Sequence, residues 1–229
     1  MATEPDTKLS QELVRSLAER TVQLRAAATV ANAEPPDPRD DPVRQALRRA
    51  AELTRAASDL GATANATALS IVSRATLENL ITLLWVVISE TNARELEAAT
   101  LGELARVARV NLEKGNARVV NKKTGENATK EVLSGEKFKN ITRRRSVEEQ
   151  AKAANVHHLY DIFYRFLSLD THGRSAPVEA ASEVAAATVM HLQGVGALTM
   201  AIGHAGALWL IHRQRVDNET LRKLLGFDR

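Results

Sequence analysis

The sequence predicts an all-α protein, an antiparallel helical bundle interrupted by a basic loop or small hairpin. Three observations point there. Apolar residues recur at helical spacing in one segment after another. Aromatic residues make up only 3% of the 229, and alanine is used heavily, which suits closely packed helices. From Val184 to His212 there is no Asp, Glu, Lys or Arg, as expected of a buried helix. The length allows one sizeable core, or a core with an extension.

Leu9, Leu13, Leu17 and Leu24 form a helical stripe that predicts a first helix over about residues 7–33. The run Pro35-Pro36-Asp37-Pro38-Arg39-Asp40-Asp41-Pro42 breaks it, so residues 1–41 read as an N-terminal helix with a Pro-rich linker. Asp41 suits an N-cap and Pro42 the first helical position of a second helix. Val43, Leu47, Ala50, Leu53, Ala57 and Leu60 continue it to a stop at Gly61. A third helix is expected from about Ala64 to Glu90 and a more charged fourth from about Ala93 to Glu113. The bundle as a whole is assigned residues 42–229.

Residues 114–145 differ in character. Ten Lys or Arg face three Glu there, a charge of +7 against +3 for the whole chain, leaving −4 elsewhere. Gly115, Gly125 and Gly135 punctuate a stretch poor in apolar residues, which marks an insertion. Clustered Lys122, Lys123, Arg143, Arg144 and Arg145 would give sequence-independent affinity for phosphates, as an RNA-binding arm does. A solvated loop explains the same residues equally well. Ser146-Val-Glu-Glu149 is a capping box that opens a short helix.

A motif helix is expected over about residues 155–171, ended by Gly173, and after the charge-free stretch a last short helix runs to Gly226. Arg165 and His172 lie seven residues apart, about two turns, and so project from nearly one face. Stepping about 100° per residue from Arg165 places His158 near +20°, His172 near −20°, Asp161 near −40° and Ser168 near −60°. Leu159, Ile162, Phe163 and Phe166 fill an apolar arc from about +60° to +160°. A stripe of His158, Asp161, Arg165, Ser168 and His172 suits phosphodiester chemistry. A His moves protons near neutral pH, and an Arg grips phosphate with its planar fork. The plain alternative is an Arg165–Asp161 pair at i, i−4 and a His favoured in the last turn by the helix dipole.

The stretch Tyr164-Arg165-Phe166-Leu167-Ser168, with His172-Gly173 after it, resembles the Arg-x4-6-His signature of the HEPN superfamily, in particular a bacterial branch with a Tyr-Arg-x-Leu-Ser…His pattern. The resemblance spans residues 42–215, and its specific part is under a dozen residues. Many HEPN nucleases carry Asn, Asp or His directly after the Arg, where this chain has Phe166. The resemblance implies a metal-independent endoribonuclease in which the 2′-hydroxyl of RNA is the nucleophile. His172 would act as general base or acid and Arg165 would stabilise charge on the phosphorane oxygens. Ser168 would bond a phosphate oxygen, and Asp161 would orient an Arg or His. A 2′,3′-cyclic phosphate product, a site assembled from two motif helices in a homodimer, a toxin or antiviral-defence setting and an antitoxin or regulatory partner are further implications. Related proteins resemble this chain in an Arg-x-x-x-Glu that begins a core helix, here Arg74 and Glu78, so that pair is expected to support the site. An ordinary i, i+4 ion pair is the competing reading.

Absences narrow the field. With no Cys there are no disulfides, thiolate metal sites or Cys nucleophiles. His157, His191, His204 and His212 show no metal-ligand spacing, so neither metal nor cofactor is expected. The N-terminus has no apolar run, which predicts no secretory signal and a cytoplasmic location. Residues 184–212 are long enough to span a membrane, yet His191, Gln193 and His204 interrupt them, so a buried central helix or a dimer face is the preferred reading. Two alternatives to the nuclease stay open: a non-catalytic helical module that binds RNA or a nucleotide, and a membrane-associated interaction protein.

Overall fold

The computed structural model describes residues 4–30, 35–135, 143–165, 167, 181–213 and 219. Four long helices come first: α1 (Glu4–Ala28), α2 (Asp40–Ala62), α3 (Ala66–Ile88) and α4 (Glu90–Glu113). Short helices α5 (Thr129–Ser134), α6 (Val147–Ala153) and α7 (His157–Leu159) come next, the last running into a π-helical turn, Tyr160–Tyr164. The longest helix, α8, spans Ala181–His212. The fold is an all-α bundle, as the apolar spacing predicts. Two compact units divide it, residues 1–90 with 147–229 and residues 91–146.

In the first unit α1, α2, α3 and α8 pack together. Its main core joins Leu24, Val43, Leu47, Ala50, Leu80, Leu83, Ile202 and Trp209. A second cluster joins Leu17, Ala57, Leu69, Leu192 and Val195. Helix α1 is thus integral to the bundle core. Close approach is set by two glycines. A Cβ on Gly61 would lie 2.7 Å from Leu192, and one on Gly206 2.8 Å from Leu47. At either position a Cβ would force the facing leucine side chain to shift.

Gly194 is different. A Cβ there would meet nothing within 4 Å. Glycine in a helix interior costs about 0.8–1.0 kcal/mol relative to alanine. Gly194→Ala is therefore expected to stabilise the chain by about 0.5–1 kcal/mol, read as a raised urea midpoint in dilute protein.

The start of α2 corrects the sequence reading. Asp41 does not cap it: the helix begins at Asp40, and the N-cap residue Arg39 makes no side-chain cap bond. Asp40 turns inward instead. Its Oδ1 accepts from Trp209 Nε1 at 2.9 Å and Arg213 Nε at 3.2 Å, and its Oδ2 accepts from the Asp37 amide at 3.1 Å. Arg39 donates to Asp37 and lies 4.5 Å from the centre of the Trp209 ring. Paired to Arg39, the Asp37 carboxyl is held below its ordinary pKa. The Pro-rich segment is thereby tied to the far end of α8 by charges that a pattern of apolar residues does not reveal.

Helix α3 begins two residues later than expected, because Asn65 accepts from the Ala68 amide and Ala64 sits at φ 52°. The second unit holds most of α4 and the basic segment. Val120 and Asn127 form an antiparallel bridge, closed by Asn121 N–H to Glu126 O at 2.9 Å, with Gly125 at φ 74°. The small-hairpin reading matches this turn, with Lys122 and Lys123 at its tip.

Candidate functional site

The site is built on the motif helix and the short helix before it. Asn155, at φ 56°, ends α6, with Val156 N–H reaching back to Ala151 O at 2.9 Å. This turn brings α6 and the motif helix side by side. Leu159, Tyr160, Tyr164 and Leu167 then pack with Leu77, Ile81 and Ala151.

Here the expected apolar arc is corrected. Ile162 is 63% exposed and Phe163 51%. The tyrosines bury instead, because a tyrosine ring is as apolar as phenylalanine provided its hydroxyl finds a partner. The helix is also not regular. Tyr160–Tyr164 is a π turn, wider than an α turn, so a constant 100° step misplaces the residues beyond it. Such turns occur often at functional sites.

Tyr164 anchors the turn to the core. Arg74 Nη2 donates to its hydroxyl at 2.7 Å, and that hydroxyl donates to Glu78 Oε1 at 3.1 Å. Arg74 Nε also donates to Glu78 at 3.3 Å, so the ordinary i, i+4 pair is present as well. Arg74 and Glu78 thus pair with each other and together hold Tyr164, the residue before Arg165 in sequence. Burial works against the charge on Arg74, but the bonds to Tyr164 and Glu78 outweigh it and raise its pKa. Burial raises the Tyr164 pKa, with the Glu78 charge adding to it against the opposing pull of Arg74.

This arrangement has a measurable consequence at alkaline pH. In Tyr160→Phe protein Tyr164 is the one tyrosine left. Its ultraviolet ionisation is expected above the ordinary value of 10.0. The folded state holds this proton more tightly than the unfolded chain does. Its contribution to stability is therefore complete below pH 10 and is lost as pH rises through the folded pKa. Ionisation at or below 10 would contradict the buried placement.

From Tyr164 outward the rings form a ladder. Tyr160 stacks on Tyr164 with centroids 4.7 Å apart, and His157 stacks on Tyr160 at 5.9 Å. Arg74 covers the inner end, 4.7 Å from the Tyr164 ring. Arg165 lies 5.6 Å from the Tyr160 ring and donates from Nε to Asp161 Oδ1 at 3.1 Å. His157 Nδ1 lies 2.9 Å from Asp161 Oδ2. One carboxylate therefore contacts an Arg and a His together.

Around this pair Lys152 donates to Glu148 at 2.7 Å, and His157 Nε2 lies 3.6 Å from the same carboxylate. The Lys152 bond, with smaller contributions from His157 and Arg165, holds the Glu148 carboxyl below its ordinary pKa. The Lys152 ammonium is raised for the same reason. The result is a half-open patch of Lys152, His157 and Arg165 interleaved with two carboxylates. It can exchange protons and can hold an anion if a carboxylate swings aside.

Among the predicted site residues, Arg74, Glu78, Asp161 and Arg165 come together through Tyr164 and Tyr160. His158 is exposed on the same helix. Ser168 and His172 lie outside the described residues. Lys122, Lys123, Arg143, Arg144 and Arg145 are exposed in the other unit, and Arg145 donates to Glu95 at 2.6 Å. Sequence reasoning missed Glu148, Lys152, His157, Tyr160 and Tyr164 as site members. The usable signal was His157, Tyr160 and Tyr164, ring-bearing residues at i, i+3 and i+7 on one helical face. Among the described residues no group of three or more His, Asp or Glu is placed to hold a metal ion.

No curated protein and no solved structure matches the chain. A model of a family of unknown function matches residues 40–180, a span that runs from Asp40 through α2, α3 and the whole of the ladder. That span is more than half of the chain, and the protein belongs to this family, DUF5677.

Proposed function

We propose that the protein is a metal-independent endoribonuclease of the HEPN type, with Arg165 and His172 at its centre. The observation that carries this reading is the treatment of Arg165. Its side chain is 63% exposed with its Nε on Asp161, and the helix beneath it is tied to the core through Tyr164. An exposed arginine on an anchored helix, with its outer nitrogens turned to solvent, is suited to gripping a phosphate.

In the reaction, the RNA 2′-hydroxyl attacks the neighbouring phosphorus while a base takes its proton. The bond to the 5′-oxygen breaks, and an acid returns a proton to that oxygen. The products are a 2′,3′-cyclic phosphate and a 5′-hydroxyl. His172 serves as base or acid, and Arg165 stabilises the charge that builds on the phosphorane oxygens. Ser168 bonds a phosphate oxygen, while Arg74 and Glu78 position Tyr164 and through it the Arg. Two motif helices in a homodimer supply both base and acid. Lys122, Lys123, Arg143, Arg144 and Arg145 attract the RNA backbone. The setting proposed is cytoplasmic, in toxin activity or antiviral defence, with an antitoxin or regulatory partner.

A second reading, a module that binds RNA or a nucleotide without cleaving it, draws on the same Lys152–His157–Arg165 patch, since holding a phosphate needs no proton transfer. Purified protein incubated with RNA in EDTA separates the two. Cleavage that leaves cyclic phosphate ends, lost in His172→Ala and Arg165→Ala, is expected. RNA retained uncut by folded wild type and released by Arg165→Ala would favour the binding module. Cleavage that persists in both variants would overturn the assignment of these residues.

A further inference from the structure

Helix α8 turns an uncharged stripe to solvent. Ala186, Met190, Gln193, Ala197, Met200, His204 and Leu208 are all exposed, Met190 at 49% and Leu208 at 67%. Their spacing alternates between four and three residues until the last step, which is the seam of a helix that packs along a second long helix. A solvated face of this length would carry Lys and Glu. Here no Asp, Glu, Lys or Arg occurs from Val184 to His212. Gly194 borders the stripe, and among the described residues a Cβ there would meet nothing within 4 Å.

We infer that this face of α8 is a self-association surface that pairs antiparallel with α8 of a second copy about a two-fold axis at Ala197. The sequence of the stripe is self-complementary in that register. Ala186 comes opposite Leu208 of the other copy and Gly194 opposite Met200, so a small residue meets a large one at both pairs. Met190 meets His204, and Ala197 meets itself, which allows the helices to approach closely at the axis. Two copies of an uncharged stripe also meet without repulsion, whereas a charged partner would find no complement. An isologous contact needs only this one patch.

From Ala186 to Leu208 the strip is about 33 Å long, 22 steps of about 1.5 Å. At a helix width of about 10 Å it covers about 330 Å². That is less than half of the roughly 800 Å² per partner of a standard interface, so self-affinity is expected to be weak, in the micromolar range. The inference is separate from the motif-helix dimer of the nuclease reading, which would raise the mass as well. Ala197→Glu and cysteines on α8 act on this contact alone. A mass that rises equally in wild type and Ala197→Glu would overturn the inference.

The test is sedimentation equilibrium of the full chain from about one to a few hundred micromolar. The mass is expected to rise from 25.0 kDa toward twice that value. Ala197→Glu, which adds a charge opposite its own copy, is expected to weaken association by about tenfold or more. Gly194→Ala should also weaken it while raising the thermal midpoint of dilute monomer, which rules out misfolding as the cause. The chain has no native cysteine, so engineered ones report register directly. Ala197→Cys should form a disulfide dimer with itself, and Ala186→Cys should link to Leu208→Cys but not to itself. A monomer at every concentration would overturn the inference. So would a protein that stays monomeric and partitions into lipid vesicles, or Ala186→Cys linking to itself, which marks a parallel pair.

Discussion

Asp40→Ala is expected to lower the unfolding free energy by about 3–5 kcal/mol, read from urea midpoints at neutral pH. The Asp40 side chain is 8% exposed and its partner Arg213 18%. Removing the carboxylate strands the Arg213 guanidinium and the Trp209 indole N–H in a low-dielectric setting. The cost of breaking such a pair from one side exceeds the net worth of the pair itself. Arg213 keeps its bond to the Pro35 carbonyl at 2.6 Å, which sets the lower end of the range. Asp40→Asn keeps one acceptor and should lose about 1–2 kcal/mol. The control is one residue along. Asp41 is 70% exposed and its contact with Arg44 is 3.5 Å, so Asp41→Ala should cost less than about 1 kcal/mol. Equal effects at the two positions would mean that the network at the base of α2 is not formed.

Arg165→Ala is expected to do the reverse. Cleavage of RNA should fall by about 10²-fold or more, the usual consequence of removing one well-aimed donor to a charged transition state. Stability should stay within about 1 kcal/mol of wild type, since the Arg165–Asp161 pair is on the surface and screened by water. Cleavage kinetics and urea unfolding of the same preparation check both halves. A large loss of both together would make Arg165 a structural residue, and unchanged cleavage would remove it from the site.

Much of the bundle is legible in the sequence. Val43, Leu47, Ala50 and Ala57 repeat as a core-facing stripe must, and Gly61 marks the end of α2 to within a residue. The features that escape are those decided by side chains distant in sequence. Asp41 looks like a cap, but a buried tryptophan and arginine more than 160 residues away recruit Asp40. The exposure of Ile162 and Phe163 escapes because Tyr160 and Tyr164 take the buried face, with Arg74 and Glu78 answering the Tyr164 hydroxyl. The Asp161–Arg165 pairing is visible from its i, i+4 spacing. The part played by His157 is not, since half of its surroundings come from α6 across the turn at Asn155.

The π turn at Tyr160–Tyr164 carries one residue more than an α turn would need over the same height. Rewinding it as an α turn with every residue kept would swing everything beyond it by about 100° and push it on by about 1.5 Å. Arg165 would then leave the tyrosine ladder without having been mutated. A change of winding at this point re-aims the arginine in one event, with no change to the arginine itself. A chain shorter by one residue between Tyr160 and Arg165 would wind this turn as α and keep its arginine facing the same way.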